Sequence, residues 1–136
     1  MNYQSTTPYA AFLLRVSLGI LFLAHAGLKI FVFTLPGTAG FFQSIGLPGF
    51  LAYLITLLEL LGGIALIVGY YASYFAIPLA ADLFGAIVTV HGENGWVFSN
   101  KGGGWEYLAL WIVALMVLFL LGDGAWSIKK GRLKNA

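Results

Sequence analysis

Seven ionisable side chains lie within or beside long apolar segments of this chain: Arg15, His25, Lys29, Glu59, Asp82, His91 and Glu106. An ionisable group at the centre of a lipid bilayer costs roughly 2.5 to 3.5 kcal/mol on insertion scales. Such groups are tolerated where they face one another, and they are typical of proton relays, ligand sites and ion pairs. These residues are therefore the candidates for chemistry.

The composition indicates a membrane protein. Hydrophobic residues make up 60% of the chain and charged residues 9%, with a mean hydropathy of +0.92, well outside the range of soluble proteins. The sequence has no cysteine, which excludes a disulfide, a thiolate nucleophile and a Cys-ligated metal. The net charge of +2 does not indicate nucleic-acid binding, because four of the seven cations lie in the C-terminal run from Lys129 to Lys134.

Four apolar windows approach or exceed the length of about 20 residues that a membrane-spanning helix needs. They cover residues 9–33, 50–70, 73–90 and 105–121. We predict an all-α, multi-pass bundle of four helices, formed by a single domain over residues 1–136. The first window also resembles a secretion signal that ends at Ala24-His25-Ala26. Because the apolar run continues through Phe33, we predict a membrane helix instead.

The connections between the spans indicate the topology. Residues 34–49 contain Leu-Pro-Gly twice and no charge, which predicts turns or a re-entrant loop folded against the bundle or the interface. Tyr71-Ala72 leaves room only for a tight hairpin. Residues 91–104 are rich in glycine and aromatic side chains and predict an irregular loop. The cationic C-terminal run predicts that both termini are cytoplasmic, with the first and third loops external.

The first helix carries its ionisable residues on one face. At about 100° per residue, Arg15, His25 and Lys29 fall within an arc of about 80°, which we expect to face the bundle interior. A rise of about 1.5 Å per residue places Arg15 within reach of Asp82 or Glu59. We predict that Arg15 and Asp82 form a structural ion pair that fixes helix register and orientation.

A second group of polar residues lies nearer the external loops. His25, Lys29, His91 and Glu106 share a similar depth, and with Glu59 they are predicted to form a pocket for ligand binding or proton handling. A structural role stays open for each of them. Lys29 can extend to the headgroups, and Glu106 can stabilise the first turn of its helix.

Several other sites are not supported. Lys101 precedes Gly102-Gly103-Gly104, the reverse of the order in a phosphate-binding loop. His25 and His91 can in principle ligate haem, and with Glu106 a metal, but no local ligand spacing supports either cofactor. We predict no metal site. The residues do not identify a catalytic group or establish that the chain is an enzyme.

Several motifs occur in a characteristic order. They are Arg15-x3-Gly19, His25-x3-Lys29, Glu59-x2-Gly62-Gly63, Gly103-Gly104-Trp105-Glu106-Tyr107 and Gly122-Asp123-Gly124-Ala125-Trp126-Ser127. Over roughly residues 12 to 128 this order and spacing resemble the DoxX family of small four-helix bacterial membrane proteins. The resemblance implies a protein of the bacterial cytoplasmic membrane that acts as a component of redox complexes, some of which are linked to quinone.

Two functions are consistent with these observations. The first is a membrane oxidoreductase component or accessory subunit whose outer pocket holds a quinone-like or other small amphipathic molecule. The alternative is a non-catalytic membrane partner or assembly factor whose buried polar residues are structural. Either function is compatible with other membrane or redox subunits as partners. A proton-coupled transporter is less favoured, since four helices leave little room for alternating access.

Overall fold

The computed structural model describes residues 3–131, with side chains from Thr6 onward, and this part of the chain is helical. Its only β-type pairing is an isolated bridge between Tyr70 and Lys129. The helices are α1 (Tyr3–Gly27), α2 (Leu35–Ser44), α3 (Phe50–Val68), α4 (Ala72–Ala86) and α5 (Glu106–Leu121). A π-helical turn, Leu28–Val32, extends α1, and α4 continues through a π-helical turn, Ile87–His91, and a 3-10 turn, Gly92–Asn94.

Three helical stretches are long and apolar enough to cross a membrane: Thr6–Val32, Phe50–Val68 and Ala72–Asn94. They correspond to the first three predicted spans. Helix α5 is equally apolar but has 16 residues, which gives a length of about 24 Å against a hydrocarbon core of about 30 Å. The fourth crossing and the orientation of the termini therefore stay predictions. Of the C-terminal cations on which that orientation rests, Arg132 and Lys134 lie outside the described residues.

The first connection contains a short helix that the sequence prediction missed. Leu35-Pro36-Gly37 begins α2 because proline is well accommodated in the first turn of a helix, where its missing N–H is not needed. The Thr34 hydroxyl oxygen accepts a hydrogen bond from the Gly37 N–H at 3.1 Å and caps the helix. Helix α2 then packs against α3, so this uncharged connection folds back onto the bundle as expected.

Arg15 is fully buried, and its partners are backbone carbonyl groups. Its Nε donates to the carbonyl oxygen of Asp123 at 2.8 Å. The other guanidinium nitrogens donate at 2.6 to 2.9 Å to the carbonyl oxygens of Leu66, Ile67 and Ala125. The last turn of a helix leaves such carbonyls without intrahelical partners, and the arginine fork satisfies those of α3. The predicted Arg15–Asp82 ion pair was therefore wrong.

Asp123 lies beside this arginine and holds the start of α4. Its carboxylate oxygens accept from the backbone N–H groups of Ala72 at 3.0 Å and Ser73 at 2.9 Å. A third N–H, from Gly131, donates to the same group at 3.2 Å. Asp123 is fully buried, so these bonds stabilise the tight hairpin between α3 and α4 from the opposite end of the chain.

Helices α1 and α3 approach closely through glycine. A Cβ atom on Gly19 would lie 2.7 Å from the carbonyl oxygen of Gly63, and one on Gly63 would lie 3.0 Å from that of Gly19. Small residues at such a crossing allow two backbones to pack in contact. This contact sets the position of the C-terminal part of α1, which carries His25 and leads to Lys29.

A candidate ligand cavity between the helices

A cavity of about 690 Å³ lies among α1, α2, α3, α4 and α5. Most of its wall is apolar, with contributions from Leu28, Phe33, Phe42, Leu51, Ile55 and Leu108. This volume falls within the range of about 300 to 1,000 Å³ that is typical of sites for small molecules and cofactors. Polar side chains occupy a minor part of the wall, as in a site for a molecule with one polar end.

Four of the five predicted site residues line the cavity: His25, Lys29, Glu59 and His91. Glu106 is not among the lining residues. Its Oε1 accepts from the backbone N–H of Phe98 at 3.3 Å and so holds the loop that precedes α5 onto the first turn of that helix. The neighbouring Tyr107 lines the cavity instead, because adjacent helical residues point about 100° apart.

Lys29, Glu59 and Asp82 form a charged cluster at the cavity wall. Lys29 Nζ donates to Glu59 Oε1 at 2.7 Å and forms an ion pair with it. Asp82, which belongs to this cluster and not to Arg15, also lines the cavity, and its carboxyl group lies near Glu59 and near the charge of Lys29. Two carboxyl groups thus face one ammonium. The cluster is neutral only when one carboxyl group carries a proton, and a buried net charge is costly.

His25 is held by its own helix. Its Nδ1 lies 2.9 Å from the carbonyl oxygen of Leu21. A carbonyl can only accept, so Nδ1 carries the hydrogen, and in the neutral ring Nε2 is an acceptor. The ring packs against Trp111 with 4.8 Å between the centroids. This arrangement leaves Nε2 without a partner among the residues that the structure describes.

His91 lines the cavity beside the glycine-rich loop that precedes α5. Its Nδ1 lies 2.9 Å from the carbonyl oxygen of Gly103, and Asn94 Nδ2 donates to that same oxygen at 2.9 Å. His91 Nε2 faces the hydroxyl group of Tyr107 at 3.4 Å. The histidine therefore links the glycine-rich loop to α5, a structural task that it performs in addition to lining the cavity.

Sequence reasoning missed Trp111, which is 7% exposed and lines the cavity from α5. Its Nε1 is buried and has no hydrogen-bond partner among the described residues. Helix α5 is apolar on every side, so periodicity does not show which of its faces points inward. The available signal was the spacing of Tyr107 and Trp111, two aromatic residues with polar tips one helical turn apart.

The polar side chains in the cavity wall determine which kinds of molecule the cavity can hold. Within residues 3–131, no three histidine or carboxylate side chains converge as a metal site requires. The wall offers a partly exposed ammonium, two carboxyl groups, imidazole nitrogens and an indole N–H. These groups can hydrogen bond the polar end of a molecule whose remainder packs on apolar side chains.

Comparison with known proteins agrees with the motif pattern. The family model described as DoxX matches residues 10–92. A protein of Bacillus subtilis (strain 168) named "Putative oxidoreductase CatD" is 46% identical over 78 residues. That alignment covers 57% of this chain and 57% of the relative, a little over half of each. No solved structure matches the chain.

Proposed function

The chain belongs to the DoxX family, and from that premise we propose that it is a membrane oxidoreductase component or accessory subunit whose cavity holds a quinone-like or other small amphipathic molecule. The observation that carries the proposal is the convergence of His25, Lys29, Glu59 and His91, from separate helical segments, on one largely apolar cavity. The name of the Bacillus relative, an oxidoreductase, supports the same class of function.

The polar groups of the cavity suit the chemistry of a ring that exchanges electrons together with protons. On this proposal, His25 accepts or returns a proton at a ring oxygen, and Lys29 stabilises negative charge that develops there. Glu59 positions the ammonium of Lys29. The electrons themselves would come from and go to partner redox subunits.

The proposal includes a location in the bacterial cytoplasmic membrane, with α5 as a fourth crossing and both termini cytoplasmic. The absence of cysteine makes this testable, because any introduced thiol is the only one in the chain. Ser99→Cys, in the external loop, is expected to react with a membrane-impermeant maleimide in intact cells. Lys129→Cys is expected to react only after lysis. Labelling of both positions from the same side would contradict the four crossings.

Ligand binding is tested with the purified protein in lipid nanodiscs. Titration with decylubiquinone, followed by tryptophan fluorescence, is expected to saturate, and native mass spectrometry is expected to detect one bound molecule. Phe42→Trp adds a larger side chain to the cavity wall and is expected to weaken binding of decylubiquinone. Leu110→Trp, at an exposed position on α5, is expected to leave binding unchanged. A titration that does not saturate, together with no bound amphiphile by mass spectrometry, would refute the proposal.

A non-catalytic partner or assembly factor is the second candidate, because Lys29 and Glu59 also tie α3 to the segment that follows α1. On that account, substitutions in the cavity lower thermal stability, and any cellular phenotype follows protein abundance. A lost phenotype at normal abundance in His25→Gln would favour the ligand-binding account.

A further inference from the structure

The cavity reaches the side of the bundle between α2 and α4. On the α2 side, Phe33 and Phe41 line the cavity and are also 58% and 48% exposed. On the α4 side, Ala81 and Thr89 line the cavity and are exposed as well. Helix α2 packs against α3 and against the π-helical turn after α1, and any contact that it makes with α4 is sparse. A gap, with Phe33 and Phe41 on one side and Ala81 and Thr89 on the other, therefore connects the cavity with the surface.

This gap lies at the depth of the hydrocarbon chains. The stretch Ala72–Asn94 has 23 residues, so at about 1.5 Å per residue it is about 35 Å long, and Ala81 and Thr89 lie about 14 and about 26 Å from its start. The exposed neighbours on this side, Phe84 and Val88, are apolar. Helix α2, on the other side, contains no charged residue. An opening of this depth and composition faces lipid and not water.

The charged groups of the cavity wall lie deeper than the gap. The side chains of Lys29 and Glu59 are 19% and 5% exposed, and both residues line the cavity. The residues of the gap carry no charge and are much more exposed. An amphipathic molecule therefore has one favourable orientation in this site, with its polar end toward the charged wall and its apolar part toward the gap.

We propose that the ligand is a lipid taken up sideways from the bilayer, with its polar end in the cavity and its hydrocarbon tail extending through the gap into the membrane. This inference rests on the proposed function and names the class of ligand for that same site. Because the tail leaves through the gap and stays among acyl chains, its length is not limited by the cavity volume of about 690 Å³. A water-soluble molecule with the same polar end would have to cross part of the hydrocarbon region to reach this opening.

Photolabelling of the full chain in nanodiscs locates the tail. The probe is a decylubiquinone analogue with a diazirine at the end of its tail, and mass spectrometry of the digested protein identifies the labelled residues. We expect labels in segments 41–45 and 81–89 that excess decylubiquinone removes. Labels there that decylubiquinone does not remove, or competed labels only in the loop of residues 95–105, overturn the inference but leave the proposed function. If decylubiquinone shows no saturable binding, both are overturned.

A reversible plug in the gap gives a second test on a protein that is already folded. The chain has no cysteine, so Ala81→Cys introduces a single thiol, which benzyl methanethiosulfonate modifies and a reductant restores. We expect the modification to weaken decylubiquinone binding about 10-fold or more, as a steric misfit in an apolar site does, and to weaken binding of its tail-less parent, dimethoxy-methyl-benzoquinone, by less.

The matched control is Ile77→Cys with the same modification, at an exposed position one turn earlier on α4 and outside the cavity lining. It is expected to bind decylubiquinone like the unmodified protein. Unchanged decylubiquinone binding by modified Ala81→Cys would contradict the position of the tail, as would an equal loss for the tail-less quinone.

Discussion

Lys29 Nζ and Glu59 Oε1 lie 2.7 Å apart, which joins the π-helical turn after α1 to the middle of α3 across the cavity wall. Glu59 is 4% exposed, so its charge depends on this partner. The same pair ties two helical segments together and places an ammonium at the wall of the cavity. Stability and ligand binding therefore have to be separated by experiment.

A double-mutant cycle makes that separation. Lys29→Met leaves the buried Glu59 without its cation and is expected to lower the free energy of unfolding by about 3 to 5 kcal/mol. Glu59→Leu is expected to lower it by less, because Lys29 is partly exposed and Asp82 stays nearby. The double variant is expected to recover most of this loss, because apolar side chains of similar size replace the pair. Unfolding in detergent, followed by circular dichroism, measures all four proteins. A double variant as unstable as the sum of the singles would contradict the pairing.

The Arg15 contacts predict that arginine cannot be replaced by lysine. Lysine has one nitrogen and cannot donate to four carbonyl oxygens that belong to α3 and to residues 123–125. We expect Arg15→Lys to lower the free energy of unfolding by about 2 to 4 kcal/mol, since each bond from a charged donor contributes about 1.5 to 3 kcal/mol before compensation. Ser17→Ala, at an exposed position on the same helix, is the control. Wild-type stability of Arg15→Lys would refute this account.

Asp123 is predicted to act as a remote cap for α4. In Asp123→Asn only one of the two acceptor oxygens remains for the N–H groups of Ala72 and Ser73, and the added amide group donates where acceptors are needed. The loss of such a cap costs about 0.5 to 2 kcal/mol. Hydrogen exchange is expected to become faster at the first turn of α4, with a smaller change in α3. Unchanged protection of the residue 72 and 73 amides would argue against the cap.

The contact between Gly19 and Gly63 predicts opposite outcomes for two glycines of α1. Gly19→Ala places a Cβ atom 2.7 Å from a backbone oxygen and is expected to destabilise the protein by about 1 to 3 kcal/mol. Gly27→Ala meets no atom within 4 Å and is expected to be neutral or slightly stabilising, because alanine is the better helix former. Thermal unfolding in detergent compares the two. Equal effects would show that helix propensity, and not the close crossing, governs α1.

Hydropathy alone was sufficient to predict the helical class and three of the spans, because an apolar run of this length has few alternatives in a membrane. Family membership followed from the spacing of motifs. The partner of Arg15 was beyond that reasoning. Depth along the helix predicted that Asp82 lies within reach of Arg15, but Asp82 lies beside Lys29 and Glu59. Arg15 instead binds the free carbonyl groups at the end of α3.

The candidate site was only partly predictable for a related reason. Burial cost indicated that His25, Lys29, Glu59 and His91 turn inward, and they line one cavity. Glu106 was assigned to that cavity from its depth alone. Its direction around α5 was not considered, and the side chain points to the loop that precedes this helix. Trp111 carries no charge, so no burial cost identified it, and only the three-dimensional packing reveals its unpaired N–H.

The central claim, that the cavity holds an amphipathic ligand, is tested most directly by filling the cavity at Gly85. A Cβ atom there meets nothing within 4 Å, and Gly85 lines the cavity, so Gly85→Leu is expected to place its side chain in the cavity. Gly27→Leu adds the same side chain in open space outside the lining. We predict that Gly85→Leu weakens the binding of decylubiquinone in nanodiscs by about 100-fold, as a blocked site would, while Gly27→Leu binds like the wild type. Equal binding by both folded variants would contradict the account.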